Sequence, residues 1–326
     1  MRISGPAPDY LGSSWQARTL FLEDDDGGAP RGRPDVAVLV HQYDAPKRAR
    51  RCGIAALYLP GFQDSFFHVA QAEAWARYDV PLIGLEFRRS GRALRSEASR
   101  DDVRDLRVRN EEITAAITYI KHDLGASRVI LIGHSTGGLQ AALWASENPG
   151  AAAVLILNSP WLEHNGPEYE KTALTEAINY LGKVTPRAVI STLNPSYARS
   201  LHASFGGEWQ FNTAHKQVDN LKVYAGFWRT VRRAHAEIAA GKVHVNEPLL
   251  VAHSDRSGDF KNPSAAELKN SDCVLNVEDM KRLAPRLSPT AQLLEISGGL
   301  HDLALSPRPA RDFYTRDTIE WALGNL

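Results

Sequence analysis

The sequence is poor in cysteine and has no surplus of charge of either sign. Its 326 residues include only two cysteines, Cys52 and Cys273, which are too few for a disulfide framework or a multi-cysteine zinc site and leave room for one bridge at most. Lys plus Arg and Asp plus Glu both number 38, so the formal net charge is zero. No overall field therefore draws the protein to nucleic acid or to anionic membranes, and the thiols are expected to be reduced.

Long apolar runs are missing as well. The opening segment "MRISGPAPDYLGSSW" lacks the continuous apolar core that a signal peptide needs. No stretch approaches the roughly 18 apolar residues of a membrane-spanning helix. We therefore expect a cytoplasmic protein without stable membrane insertion.

Short aliphatic runs alternate with longer helical patterns, which is typical of a mostly parallel sheet with helices on both faces. The first two runs are separated by "DDDGGAPRGRP", an exposed turn by its charges, glycines and prolines, and are predicted to pair antiparallel at the sheet edge. The other six are predicted to be buried central strands. The eight predicted strands are 17–23, 36–44, 54–60, 80–87, 128–133, 152–160, 247–254 and 291–298.

Helical patterns fill most of the intervals between these strands. The first three predicted helices cover 65–77, 101–124 and 135–148. The second should begin at Asp101 and Asp102, where the helix dipole favours carboxylates, and end at Gly125 as its C-cap.

The stretch 161–242 breaks the alternation, because it is helix-like and rich in aromatic residues but has no good strand run. We interpret it as a helical cap inserted into an α/β core formed by 1–160 and 243–326. The alternative is a set of extra helices packed on the side of one domain.

One serine, Ser135, lies in "RVILIGHSTGGLQAALWA" between an aliphatic strand and a helix rich in small residues. A Gly-x-Ser-x-Gly pattern alone arises by chance in roughly one chain in ten of this length. The strand-turn-helix context is what a nucleophile elbow requires, because Gly133 and Gly137 leave room for a strained turn that brings chain segments close together. Ser135 is therefore the candidate nucleophile, and the alternative is a turn serine that only caps the helix.

A serine hydroxyl needs a base to remove its proton, and His301 is the best placed of the eleven histidines. It follows the last predicted strand after a Gly-Gly break and precedes the final helix. His253 also ends a strand, and His134 adjoins the serine but should point in another direction. Four other histidines are expected at the surface or hydrogen-bonded in the core: His202, His215, His235 and His244. No pair among them has the spacing of metal ligands, so zinc-dependent hydrolysis is disfavoured.

Two carboxylates compete to orient the imidazole. Asp255 follows the strand 247–254 directly, whereas Asp272 lies further on, in "NSDCVLNVEDM". We favour Asp272, because the interval from it to His301 holds one helix and one strand, the usual connection. The backbone N–H groups of Phe62, after the "LPG" turn, and of Thr136, after the serine, are the predicted oxyanion donors.

These motifs, in the order Ser135, Asp272, His301, with "LPGF" upstream and "GHSTGG" at the elbow, resemble the α/β-hydrolase fold. Within it the sequence resembles the monoglyceride lipases, lysophospholipases and serine aminopeptidases over about 16–326. The segment "VPLIGLEFRRSGRALRS" partly matches that family's D-x-R-G-x-G-x-S loop, with Glu86, Arg89 and Ala93 in place of Asp, Gly and Ser. The resemblance implies a helical cap over an acyl pocket, which agrees with an insert at 161–242.

The resemblance and the residues together predict a serine hydrolase that cleaves carboxylic esters through an acyl-enzyme and needs no cofactor or metal. The expected partner is a small-molecule ester with an apolar acyl or aryl group. A thioesterase, peptidase or acyltransferase could use the same triad. The alternative from another class is a non-catalytic ligand receptor or binding module on the same fold.

Overall fold

The computed structural model describes residues 2–23, 34–165 and 173–326. The turn predicted at 24–33 and the beginning of the helical pattern at 169–172 lie outside the described residues. The strands are β1 Arg2–Ile3, β2 Ala7–Pro8, β3 Trp15–Phe21, β4 Val36–Gln42, β5 Ile54–Leu59, β6 Leu82–Glu86, β7 Arg128–His134, β8 Val154–Asn158, β9 Val189–Thr192, β10 Lys222–Tyr224, β11 Leu249–Ser254 and β12 Gln292–Ile296. The α-helices are α1 Ala45–Cys52, α2 Val69–Ala76, α3 Asn110–Tyr119, α4 Thr136–Glu147, α5 Ala173–Val184, α6 Ser196–Leu201, α7 Ala225–Ala239, α8 Val277–Leu287 and α9 Ala310–Gly324.

The main sheet has the order β1-β3-β4-β6-β5-β7-β8-β11-β12, with β2 paired to β3. The strands from β6 to β12 in this order run parallel, and β3 and β4 form the predicted antiparallel pair next to the edge. All eight predicted strands are present, and the two-residue strands β1 and β2 extend the sheet. Such short strands carry no readable alternation, which is why the sequence pattern missed them.

Both faces of the central strands are buried. In β5, Ala55, Leu57 and Leu59 face one apolar cluster, while Ala56 and Tyr58 face the other. A parallel sheet covered by helices on both sides produces such continuous hydrophobic strands. β12 departs from the prediction of a buried central strand, because it is the last strand of the sheet and most of its side chains are exposed.

The helix predicted at 101–124 is shorter than expected. Asp101 has a φ of 49°, which does not belong to a right-handed helix, and its carboxylate lies 3.6 Å from Arg109 Nη2. A 3₁₀ turn at Leu106–Arg109 precedes α3, so the acidic residues of the first helical turn are Glu111 and Glu112. A π-helical turn at Ile120–Leu124 continues α3, and the predicted C-cap is confirmed at its end, since Gly125 has a φ of 83°.

The stretch 161–242 contains α5, α6 and α7, and also a two-stranded antiparallel sheet formed by β9 and β10. The expectation that this stretch has no strands is therefore wrong. Its strands are only three and four residues long, too short for a period of two to stand out. α5 packs against α7 so closely that a Cβ on Gly182 would lie 2.5 Å from the oxygen of Ala225.

Candidate active site

The turn between β7 and α4 holds Ser135 in a strained backbone conformation, with φ of 53° and ψ of −117°. The two flanking glycines are required by close backbone contacts. A Cβ on Gly133 would lie 2.4 Å from the oxygen of Gly137, and one on Gly137 would lie 2.3 Å from the oxygen of Leu59. The serine itself is 8% exposed, so it is almost covered by the surrounding chain.

The loop after β5 lies directly against this turn. A Cβ on Gly61 would lie 3.2 Å from Ser135 Cβ, a tighter contact than most Cβ atoms make, so glycine favours this close approach. The next residue, Phe62, stacks its ring on that of Phe227 in α7 at 4.5 Å. Within the part of the chain that the structure describes, the N–H groups of Phe62 and Thr136 donate no hydrogen bond.

The loop after β12 carries His301 to the same end of the sheet. Its Nδ1 donates to Asp272 Oδ2 at 2.9 Å, and both side chains are buried. The other carboxylate oxygen, Oδ1, accepts the N–H groups of Val274 and Leu275, each at 2.8 Å. The acid is thus held by two backbone donors while it contacts the imidazole.

Asp255 lies elsewhere. Its carboxylate pairs with Arg256 at 2.6 Å and accepts the N–H of Gly298 at 3.0 Å. The hydrogen bond from the Arg256 guanidinium holds the pKa of Asp255 below its ordinary value. The structure therefore brings Asp272, and not Asp255, to the candidate base.

A closed loop explains how Asp272 reaches this position. The N–H of Asp272 donates to the oxygen of Arg256 at 3.1 Å, and its own oxygen accepts the N–H of Gly258 at 2.8 Å. These bonds return the chain to the end of β11 after an excursion through 259–271. The residues of this interval form a side loop. Because the loop closes on itself, Asp272 lies close to the end of β11.

His301 lies next to the turn that holds Ser135. The imidazole ring of His301 lies 4.8 Å from that of His134, the residue before Ser135. Among the described residues, Ser135 Oγ forms no hydrogen bond with His301.

A buried polar cluster beside the serine was not recognised from the sequence. Asp64, His134 and Asp302 offer ligand atoms within 4.8 Å of one another. Lys216 Nζ already lies 2.6 Å from Asp64 Oδ1, and His68 Nε2 lies 2.8 Å from Asp302 Oδ2. The cluster could offer ligands to a metal ion, but protein donors already occupy both of its carboxylates.

Four of the other histidines named from the sequence form hydrogen bonds away from Ser135 Oγ; these are His134, His202, His235 and His253. Burial lowers the pKa of His134 to about 4 and that of His235 to about 3, so both imidazoles are neutral at pH 7. His253 Nδ1 contacts the oxygen of Ser254 at 2.7 Å, and His202 Nε2 contacts the oxygen of Phe211 at 3.1 Å.

Comparison with known proteins places this arrangement in a family. A sequence model of the family described as serine aminopeptidase, S33, matches residues 71–308, which is well over half of the chain. The chain belongs to the serine aminopeptidase S33 family. This S33 protein has the α/β-hydrolase fold that its motifs indicated.

Lipases are among the relatives of this S33 protein. A monoacylglycerol lipase of Mycolicibacterium smegmatis is 23% identical over 297 residues, which cover 91% of this chain and 90% of the relative. A monoglyceride lipase homolog of monkeypox virus is 27% identical over 141 residues, which cover 43% of this chain and only 48% of that protein. The solved structure of a monoglyceride lipase from Saccharomyces cerevisiae, in complex with a substrate analog, superposes with a TM-score of 0.64 at 12% identity, covering 98% of this chain and 100% of that one.

Proposed function

We propose that this S33 family member is a serine hydrolase that cleaves carboxylic esters through an acyl-enzyme on Ser135. The observation that carries the proposal is the hydrogen bond between His301 Nδ1 and Asp272 Oδ2, at the end of the sheet where the strained turn presents Ser135. An imidazole held by a buried carboxylate, beside a serine on a strained turn, is the arrangement that activates a hydroxyl.

The reaction takes place in two steps. His301 Nε2 accepts the hydroxyl proton while Ser135 Oγ attacks the ester carbonyl, and the same nitrogen then returns the proton to the leaving alcohol. In the second step a water molecule, deprotonated by His301 Nε2, attacks the acyl-enzyme, and the carboxylic acid is released as Ser135 Oγ regains its proton. Asp272 keeps Nδ1 protonated throughout, so that Nε2 is the nitrogen free to accept a proton.

The oxyanion of each tetrahedral intermediate is bound by the N–H groups of Phe62 and Thr136. Both are free of protein acceptors in the described part of the chain, and Thr136 is the first residue of α4, where the helix dipole favours negative charge. The close approach of Gly61 to Ser135 brings the first of these donors to the turn.

An apolar acyl or aryl ester is the substrate class that the surroundings favour. The stacked rings of Phe62 and Phe227 lie beside the candidate oxyanion donor, and Trp161 lies 6.5 Å from Phe227. The named relatives are monoglyceride lipases, which supports a monoacylglycerol-like ester. Phe227 belongs to the 161–242 insert, which would then act as a cap over the acyl group.

Peptide cleavage is the second candidate, because the family is described as serine aminopeptidase. An aminopeptidase needs a carboxylate to bind the substrate α-ammonium group. The two carboxylates of the polar cluster are already paired, Asp64 with Lys216 and Asp302 with His68, so neither is available for that role. The cluster therefore offers no free carboxylate for an α-ammonium group.

The decisive experiment combines labelling and turnover. We expect a fluorophosphonate to label the folded protein at Ser135, and we expect Ser135→Ala to lose both labelling and hydrolysis of p-nitrophenyl butyrate while keeping the wild-type melting temperature. Ser159→Ala, at another buried serine with a positive φ, serves as the matched control. Turnover unchanged in Ser135→Ala would reject the mechanism, whereas absence of labelling in the native protein would favour a ligand receptor. Aminoacyl p-nitroanilides assayed alongside distinguish a peptidase.

A further inference from the structure

The residue after the candidate base, Asp302, is held from several sides. Its Oδ1 accepts Asn158 Nδ2 at 2.8 Å and the N–H of Ala304 at 3.1 Å. Its Oδ2 accepts His68 Nε2, also at 2.8 Å. The carboxylate is buried, so these contacts face no competition from bulk water. The loop that carries His301 is therefore anchored one residue from the imidazole.

Asn158 connects this anchor to the nucleophile. As the last residue of β8, it uses its main-chain oxygen to accept the N–H of Ser135 at 3.0 Å and Nδ1 of His134 at 3.2 Å. Its side-chain oxygen accepts the N–H of Leu303 at 3.2 Å, while its side-chain nitrogen donates to Asp302. One residue thus contacts the turn that presents the serine and the loop that presents the histidine.

A tyrosine of the 161–242 insert holds the same loop from the opposite side. Tyr197 Oη accepts the N–H of Asp302 at 2.8 Å, and its ring meets that of His301 edge-on, with centroids 5.7 Å apart. The imidazole therefore contacts both this ring and that of His134.

The anchor stays charged at neutral pH. Burial opposes ionisation of Asp302, but nearby imidazoles and the hydrogen bonds from His68 and Asn158 hold its pKa well below the ordinary value. His134 is neutral at pH 7, and the hydrogen bonds donated by His68 and Asn158 continue to favour the charged carboxylate there.

We propose that Asp302 is a positioning residue for His301, and that Asn158 ties the position of the base to that of Ser135. The proposal rests on the proposed ester hydrolysis. Its competitor is a purely structural role, in which Asp302 only stabilises the fold.

The test compares two substitutions at one position. Asp302→Ala removes the anchor, and active sites are counted by titration with fluorophosphonate. We expect kcat per active site to fall by about 10- to 100-fold, since a small misplacement of a catalytic group costs rates of that size. KM should stay within about twofold. Asp302→Asn keeps the shape of the side chain. His68 Nδ1 has no partner among the described residues, so the imidazole can carry its proton there, and His68 Nε2 can then accept a hydrogen bond from the new amide. Asp302→Asn should therefore retain kcat within about threefold.

The partners provide independent variants. Asn158→Ala should lower kcat about as much as Asp302→Ala, and the double variant should lose little more than the worse single variant, because both act through one loop. Tyr197→Phe, which removes only the acceptor for the N–H of Asp302, should lower kcat severalfold with folding intact. Glu112→Gln, at a buried carboxylate paired with Arg88, is the control for lost stability and should keep kcat.

The outcomes distinguish a failure of the positioning role from a failure of the proposed ester hydrolysis. Wild-type kcat per active site in Asp302→Ala, or effects of the two single variants that multiply in the double variant, would overturn the positioning role while leaving Ser135 as nucleophile. An equal loss in Asp302→Asn and Asp302→Ala would overturn it as well, because the charge and not the position would then matter. If Asp302→Ala does not fold, Tyr197→Phe and Asn158→Ala decide alone. Activity that survives Ser135→Ala would reject the proposed function itself.

Discussion

Lys216 Nζ lies 2.6 Å from Asp64 Oδ1, and this ion pair joins the 161–242 insert to the loop that holds the candidate oxyanion donor Phe62. The two side chains are only 10% and 3% exposed. Lys216 also lies 5.8 Å from the ring centroid of Phe67. The pair is thus a buried charge contact between the insert and the core, two residues from the proposed donor.

We expect Lys216→Met to destabilise the protein by about 3 kcal/mol, because breaking one side of a buried pair leaves an uncompensated charge. The double variant Lys216→Met, Asp64→Asn should recover most of that loss. Urea unfolding measures both. If the double variant does not regain unfolding free energy, Lys216 stabilises the protein by packing on Phe67 and Phe211 instead of through its charge.

The choice of triad acid predicts a large difference between two aspartates. Asp272→Asn should lower kcat by about three to four orders of magnitude, because the amide cannot hold His301 in the tautomer that accepts a proton. Asp255→Asn should stay within about twofold, since its carboxylate contacts Arg256 and Gly298. Steady-state kinetics on one short ester decides; the reverse ranking would reassign the acid.

Backbone crowding at the elbow predicts intolerance of any side chain at Gly137. A Cβ there would lie 2.3 Å from the oxygen of Leu59, which is backbone and cannot rotate away. Gly137→Ala should cost about 3 kcal/mol of unfolding free energy or more, and should abolish labelling of Ser135. Gly324→Ala, in open space at the end of α9, is the matched control and should leave stability unchanged or slightly higher.

Asp101 predicts a pH-dependent loss of stability. Burial raises its pKa to about 6, with Arg109 and Arg100 opposing the shift. The folded state therefore binds the carboxyl proton of Asp101 more tightly than the unfolded state does. The stability that this proton contributes is fully present below about pH 4 and is lost as pH rises through about 6. Relative to Asp101→Asn, the wild-type unfolding free energy should fall by about 3 kcal/mol between pH 4 and pH 7. A constant difference over this range would contradict the shift.

Much of the fold was predictable because its determinants are local. Most of the eight longer strands of the main sheet are short aliphatic runs, with β3 and β12 the more polar ones, and the Gly-x-Ser-x-Gly turn follows from contacts between neighbouring chain segments. The failures lie where distant residues override the local pattern. Asp101 and Asp102 look like a helix N-terminus, but Asp101 lies 3.6 Å from Arg109 and Arg187 lies 3.2 Å from Asp102, which places them in a loop instead.

The sequence by itself determined the strand-turn-helix around Ser135 and the place of His301 after the last strand, because glycine sterics and strand periodicity act over a few residues. Only the tertiary structure shows that Asp272, and not Asp255, contacts His301, since a side loop that closes on Arg256 and Gly258 returns Asp272 to the end of β11. The contact between Asn158 and Asp302 was likewise invisible in the sequence, because these residues lie more than a hundred positions apart and meet only when β8 and the loop after β12 reach the same end of the sheet.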